Sequence, residues 1–464
     1  MLVCYNQMSI SSINPVNGSI IKKYKEDTEN AIDQKIDQVH QAWLNYKETD
    51  FQTRSRLLLQ VSKILNERQD QLAELMALEM GKPLKAGVAE ILKCASVCEY
   101  YAKNGAEFLA DQIINTSASK SYVSFQPIGL VLAIMPWNFP FWQVFRFLAP
   151  ALMAGNGGVL KHSSGVTGCA LEIEKVIEDA GFPQHIFKTL ICSSKAIPKV
   201  IENPQIKAVT LTGSTEAGQK VAEQAGKLIK KTVLELGGSD PYIILEDADL
   251  EKAAKVCAEA RLINNGQSCI AAKRFIVIES VEEKFTQLFK AEMESKKTGD
   301  PSKPDTELGP MARAELRDEL HQQVLKSIEQ GAKCILGGEI PAIDGKHAYY
   351  QPTILNHVKK GILAYDEEIF GPVAAIITAK DTDDAIHIAN DTNFGLGAAV
   401  FTENAALAED IARNKLNAGS CFVNEGVKSD AALPFGGINQ SGYGRELSMF
   451  GIHEFVNIKT VYIK

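Results

Sequence analysis

Ile128-Gly129-Leu130-Val131-Leu132-Ala133-Ile134-Met135 runs directly into Pro136-Trp137-Asn138-Phe139-Pro140. The first eight residues are apolar without alternation, which suits a strand buried on both faces of a parallel sheet. Two prolines then end it, and a helix carrying Arg146 follows. In α/β sheets ligands sit beyond the carboxyl ends of strands, which is where Asn138 falls. An asparagine there has a second reading, as a turn residue bonded to its own backbone.

The same pattern recurs downstream. Gly158-Val159-Leu160-Lys161 reads as a buried strand leading to His162-Ser163-Ser164, with a helix from near Val166. Residues 208–212 form another, entering Gly213-Ser214-Thr215-Glu216-Ala217-Gly218 and a helix. Strand, Gly-Ser turn and helix together point backbone N–H groups at a phosphate, although the spacing is not GxGxxG. Residues 231–236 end in Glu235-Leu236-Gly237-Gly238. A carboxylate at a buried strand end is costly unless paired, so Glu235 is either functional or hydrogen-bonded for structure. The alternation over 128–240 predicts an α/β fold with a doubly wound nucleotide domain.

Upstream, residues 9–21 read as strand, turn and return, with turn signals at Asn14-Pro15 and Asn17-Gly18. Residues 28–115 are helical in pattern, with Leu57, Leu58, Val61, Ile64, Leu65, Leu72, Leu75 and Met76 as core and Gly81-Lys82-Pro83 as a stop. Residues 119–125 read as a strand. Residues 250–263 are helical and break at Asn264-Asn265-Gly266, before a β-branched strand at 274–278. Between break and strand lies Gln267-Ser268-Cys269, a thiol in a polar loop, where it can meet a ligand. A second α/β alternation runs to about 423 and includes a turn at 367–372 entering a strand at 373–378. The tail, 452–463, reads as a strand with nothing after it to pair with.

Composition narrows the function classes. The chain has 464 residues, 45% hydrophobic and 23% charged, which predicts two or three domains. The net charge of -8, with both signs interspersed, gives no reason to expect nucleic acid or an anionic membrane as partner. The nine cysteines (Cys4, Cys94, Cys98, Cys169, Cys192, Cys257, Cys269, Cys334 and Cys421) are odd in number and scattered without metal-site flanks. They predict a reducing, cytoplasmic setting and no metal. The N-terminus lacks the pattern of a signal peptide, and the most apolar run, 127–142, is too short and proline-broken to span a membrane.

Taken in order, Pro136-Trp137-Asn138-Phe139-Pro140, Leu160-Lys161, Gly213-Ser214, Glu235-Leu236-Gly237-Gly238, Gly266-Gln267-Ser268-Cys269, Glu368-Ile369-Phe370-Gly371-Pro372 and Pro434-Phe435-Gly436-Gly437 form a specific set. Over essentially its whole length the chain resembles the aldehyde dehydrogenase family, and within it the NAD(P)-using bacterial succinate-semialdehyde dehydrogenases. The resemblance implies a Rossmann-type dinucleotide-binding domain (1–115 and 128–236), an α/β catalytic domain (237–427), and a small β oligomerisation arm with the C-terminal tail (116–127 and 428–464). A homodimer or homotetramer is implied. Cys269 is then the nucleophile, Glu235 the general base, and the Asn138 side chain with the Cys269 N–H the oxyanion hole. For NADP or NAD, Lys161 is implied at the adenosine ribose, Gly213 and Ser214 at the pyrophosphate, and Glu368 at the nicotinamide ribose. Trp137, Leu236 and Phe370 are implied along the nicotinamide.

For the substrate, the resemblance implies a pocket of Arg146, Phe139, Ser429 and Phe435, with Arg146 holding a carboxylate. An internal salt bridge is the other reading of Arg146. Relatives carry a second arginine six residues before the nucleophile, where this chain has Ile263, and Lys428 is near enough in sequence to contribute. NAD-specific relatives carry a glutamate three residues after the position of Lys161, where this chain has Ser164. That removes a repulsion from a 2′-phosphate, with Lys161 and His162 beside it. Ser164 as a helix cap is the other reading. The implied reaction is oxidation of succinic semialdehyde to succinate, with another semialdehyde or an uncharged aldehyde as the alternative. A thiol hydrolase would need a Cys-His pair, and no histidine occupies a comparable strand end. A CoA-acylating relative would typically lack a carboxylate at Glu235.

Overall fold

The computed structural model describes residues 9–341 and 347–464. Expectations falling on residues 1–8, Cys4 among them, lie outside the described residues.

The chain opens on an antiparallel hairpin of β1 (Ser9–Ile13) and β2 (Ile20–Lys25). Its turn closes where Gly18 N–H donates to Asn14 O at 2.8 Å. Four helices follow: α1 (Glu29–Tyr46), α2 (Phe51–Glu67), α3 (Gln69–Met80) and α4 (Leu84–Phe108). Thr28 and Asp50 cap the first two through their side-chain oxygens. Gly81 ends α3 in the left-handed conformation, φ 77°. Helix stops earlier than the apolar pattern suggests: beyond α4 the chain makes β3 (Gln112–Ile113), which pairs with β4 (Lys120–Pro127).

The strand read at 128–135 is β5 (Leu130–Met135), and α5 (Trp142–Met153) is the helix carrying Arg146. Then come β6 (Gly157–His162), α6 (Thr167–Asp179), β7 (Phe187–Thr189), α7 (Ile197–Glu202), β8 (Ile206–Thr212), α8 (Thr215–Lys227) and β9 (Lys231–Glu235). β7, only three residues long, is too short to show a period in the sequence. From β5 the sheet grows through β6 and β7 on one side and through β8 and β9 on the other. The direction of winding therefore reverses between β5 and β8, and a crevice opens beyond their carboxyl ends.

The second sheet contains β10 (Pro241–Ile244), β11 (Arg274–Ile278), β12 (Lys333–Leu336), β13 (Thr353–Asn356), β14 (Val373–Ala379), β15 (Gly397–Phe401) and β16 (Ser420–Val423). Helix α9 (Leu250–Leu262) leads from β10 towards β11. The order is β12-β13-β14-β11-β10-β15-β16, parallel except for the edge strand β12.

The C-terminal segment returns to the first half of the chain. β17 (Gly442–Tyr443) adds to β9, and a Cβ at Gly442 would stand 1.9 Å from the Leu234 carbonyl oxygen. The expectation of an unpaired terminal strand from Ile452 is corrected. Ser448–His453 is a helix, and β18 (Val456–Ile463) pairs along its whole length with β4 of the same chain. Its partner lay far upstream, where reading only the following residues does not find it. β18 is nonetheless an edge: the small sheet runs β18-β4-β3 and stops. Asn156 fastens this return, accepting from the N–H groups of Ile128 and Gly129 and donating to Phe455 O at 2.8 Å. Among the described residues no helix is long and apolar enough to cross a membrane.

Candidate active site

Two cavities meet at Cys269. One, of about 280 Å³, lies in the crevice at β5 and β8, lined by Trp137, Asn138, Gly213, Ser214, Leu236, Glu368, Phe370 and Cys269. The other, of about 230 Å³, is lined by Phe139, Arg146, Ser429, Phe435 and again Cys269. Lys82, Lys93, Ile263 and Lys428 are also in its wall. Three expected residues line neither. Lys161 and Glu235 sit at the ends of β6 and β9, and Ser164 borders a small cleft with His162 and Cys192. Glu235 points instead towards the Gly436 backbone, where a Cβ would lie 2.7 Å from its Oε1.

Buried polar groups fix both loops. Glu90 on α4 accepts from Phe141 N–H and Trp142 N–H, each at 2.9 Å, satisfying donors that the start of α5 leaves open. Its other oxygen pairs with Lys82, whose ammonium lies 4.0 Å over the Phe139 ring. In the second loop, Asn264 and Asn265 both adopt left-handed backbone, φ 54° and 58°. Asn264 Nδ2 donates to Asn138 O at 2.7 Å and Gln267 O at 3.0 Å, joining the two loops. Asn138 Nδ2 donates to the same Gln267 carbonyl at 3.1 Å, and its Oδ1 has no partner. Gly266 passes so close to Gly371 that a Cβ would come within 2.3 Å of the latter's carbonyl carbon. Lys273 Nζ donates to the carbonyls of Ser268 (3.0 Å) and Cys269 (2.7 Å) and pairs with Glu368 at 3.3 Å.

The charges around the thiol are strongly perturbed. Burial pushes the Cys269 thiol up to about 12, against the pull of Arg146 and Lys273. Burial, and then repulsion from Glu446, raises Glu235 well above the usual carboxylate range. Neither of its oxygens has a hydrogen-bond partner. Arg146 lines the second cavity and makes the internal ion pair of its other reading, with buried Glu446. Its Nη2 reaches Thr212 Oγ1 at 3.3 Å, and the guanidinium lies 4.5 Å over the Phe435 ring. Lys428 lines the cavity from an exposed position, paired with Glu425 at 2.9 Å.

The His162 ring is buried, with Nε2 2.8 Å from Pro140 O and Nδ1 accepting from Ser163 N–H. Burial depresses it to about 4, so it is neutral at pH 7. Sequence reasoning also missed Lys82, Glu90, Lys93, Lys273 and Glu446. A lysine just before the buried strand β11 is a signal for Lys273, since such a charge needs a partner. The others come from segments distant in sequence and carry no local signal.

With the thiol pushed up to about 12, alkylation of Cys269 by iodoacetamide in the cofactor-free protein should climb about tenfold per pH unit between pH 7 and 10. The same peptide in urea should level off near the ordinary thiol pKa. Peptide mass spectrometry, with Cys269→Ser as control, reads both, and a plateau below pH 9 in the folded protein would contradict the shift.

Known proteins are similar to this chain in sequence and fold. The sequence matches the aldehyde dehydrogenase family over residues 4–461. It is 47% identical to a probable succinate-semialdehyde dehydrogenase [NADP(+)] of Synechocystis sp., covering 98% of this chain and 100% of that one. A succinate-semialdehyde dehydrogenase [NADP(+)] of Mycobacterium tuberculosis is 45% identical over the same shares of both chains, 98% and 100%. Among solved structures, succinic semialdehyde dehydrogenase from Streptococcus pyogenes in complex with NADP+ superposes with a TM-score of 0.95, at 37% identity, over 98% of this chain and 99% of that one. With the match spanning nearly every residue and the fold following it, the chain belongs to the aldehyde dehydrogenase family.

Proposed function

We propose that the protein oxidises succinic semialdehyde to succinate with NADP or NAD, through a thiohemiacetal and then a thioester on Cys269. The observation that carries this is the position of Cys269 in the walls of both adjoining cavities. The residues of the first cavity fit a dinucleotide. Gly213 and Ser214 lie at the N-terminus of α8, where backbone N–H groups favour a phosphate. Gly237 leaves room for the Glu368 carboxylate, whose Oε2 would be 2.4 Å from a Cβ there. When bound, the dinucleotide supplies the hydride acceptor.

The chain's own residues supply the rest. The Cys269 sulfur, as thiolate, adds to the aldehyde carbon. The Asn138 amide and the Cys269 N–H are the donors for the resulting alkoxide, and one such donor contributes about 3–4 kcal/mol. Loss of hydride leaves a thioester. Glu235 then takes a proton from the water that hydrolyses it, for which its side chain must turn away from Gly436. Arg146, Ser429, Phe139 and Phe435 form the pocket for the rest of the substrate. The relatives named for this reaction, at 45–47% identity, support the choice of substrate.

The same reading divides the chain into nucleotide domain, catalytic domain and oligomerisation arm. Exposed Ile113, Ile458, Tyr462 and Ile463 on the small sheet, with β18 as its open edge, support a homodimer or homotetramer assembled there. Sedimentation at micromolar concentration is expected to show a dimer or larger, and a monomer would rule the assembly out. Free cysteines throughout the described residues support a cytoplasmic setting.

Two kinetic outcomes test the chemistry. Cys269→Ala should abolish aldehyde oxidation, while Glu235→Gln should give a rapid burst of reduced cofactor followed by slow thioester hydrolysis. Near-normal activity in Cys269→Ala would end the mechanism. For the cofactor, the hydroxyl of Ser164 in place of a carboxylate favours NADP at least as much as NAD. Ser164→Glu should cut kcat/KM for NADP by about 100-fold, as expected for a few kcal/mol of like-charge repulsion. An unchanged NADP/NAD ratio in that variant, or wild-type NADP use a hundredfold below NAD, would refute the assignment.

A further inference from the structure

Four cationic side chains line the substrate cavity: Lys82, Lys93, Arg146 and Lys428. Three of them already have carboxylates. Lys82 pairs with Glu90, Arg146 with Glu446, and Lys428 with Glu425. Among the described residues, Lys93 has no carboxylate within ion-pair distance. Its ammonium donates to the Ser429 hydroxyl at 2.7 Å and lies 4.4 Å over the Trp142 ring. An ammonium has three N–H donors, and a hydroxyl and a ring face do not satisfy this half-buried charge as an anion would. Ile263, in the loop before Cys269, supplies only an apolar surface to the same cavity.

We infer that Lys93, reaching from α4 with Ser429 as its companion, is a second cation beside Arg146 that reads the substrate's terminal carboxylate. The inference rests on the proposed oxidation of an acidic aldehyde and deepens it: the preferred substrates are short aldehydes with an anionic group at the far end. Arg146 is less available for that task, because Nε faces Glu446, Nη2 meets Thr212 and the guanidinium face lies on Phe435. Ser429 accepts from Lys93, so its own O–H proton remains for a carboxylate oxygen.

Burial, and then Arg146 on α5, lower Lys93 to about 8, while Cys94 and Glu90 on its own helix and Asp430 in the 428–430 loop act in the opposite sense. Lys82 and Lys428 face the same cavity with their charges paired. A lysine depressed in this way is charged at pH 7 and loses its charge as pH rises through about 8. The ratio of kcat/KM for succinic semialdehyde to that for butanal, which has no carboxylate, should therefore fall between pH 7 and 9 in the wild type.

The experiment compares wild type, Lys93→Met and Lys93→Arg on both aldehydes, and measures inhibition of butanal oxidation by succinate. Lys93→Met should lower kcat/KM for succinic semialdehyde by about 10- to 100-fold, mainly through KM, with a distinctly smaller loss on butanal. It should also weaken succinate inhibition and flatten the pH dependence of the ratio. Lys93→Arg should restore most of the preference and keep it up to higher pH. Equal losses on both aldehydes, or a preference unchanged in Lys93→Met, would overturn the role of Lys93 while leaving the proposed reaction intact. A wild type that neither prefers succinic semialdehyde over butanal nor is inhibited by succinate would instead overturn the substrate reading, and this inference with it. If Lys93→Met does not fold, the wild-type pH ratio and Lys93→Arg decide the matter: a flat wild-type ratio refutes the assignment.

Discussion

The hydrogen bonds from the Asn264 amide to the carbonyls of Asn138 and Gln267 hold the site together. Asn138 lies beyond the end of β5 in one sheet, and Gln267 lies in the loop between α9 and β11 of the other. Neither loop alone makes a site. The pairing requires Asn264 and Asn265 to take left-handed backbone, at about 1 kcal/mol each for residues other than glycine. Asparagine tolerates that region better than most residues, and its amide supplies the bonds that offset the strain. The Asn-Asn-Gly that reads as a loop break is thus also the clamp between sheets.

Around this clamp, buried charge is arranged in pairs and in bonds to backbone. Lys82 with Glu90 fixes the start of α5, Arg146 with Glu446 fixes its middle, and Lys273 holds the carbonyls of Ser268 and Cys269. A buried pair of this kind contributes little net stability, because desolvation offsets much of the attraction. What it does provide is position. Cys269 and Glu235, by contrast, have ionisation disfavoured by loss of solvent, and for Glu235 by Glu446 as well. Both shifts run in the direction that disfavours the charged form, and another charge or a movement that changes the surroundings would reduce them.

The C-terminal segment carries more of this architecture than its simple sequence suggests. Phe435 and Glu446 exchange backbone hydrogen bonds of 2.7 Å, so the ring under Arg146 and the carboxylate paired with it come as one unit. β17 extends the first sheet beside Glu235, and β18 covers β4. The last stretch of chain therefore contributes to the cavity beside Arg146, to the first sheet and to the small sheet.

The sequence by itself determined the elements whose signal is local. Buried strands such as β5 and β8 read as unbroken apolar runs, α3 ends at its glycine, and each strand end exposes its motif, because these features depend on a few consecutive residues. The resemblance that the ordered motifs carry likewise implied Cys269, Asn138 and Arg146 as residues of one site, and the fold brings all three to the two adjoining cavities. Only the tertiary structure decided what those residues touch. That Arg146 is already paired, that His162 is turned into the protein, that the terminal strand finds β4, and that Lys93 reaches the cavity are consequences of contacts between segments far apart in the chain. Such contacts are selected by packing and by the need to satisfy buried charge over the whole molecule, which no local period encodes.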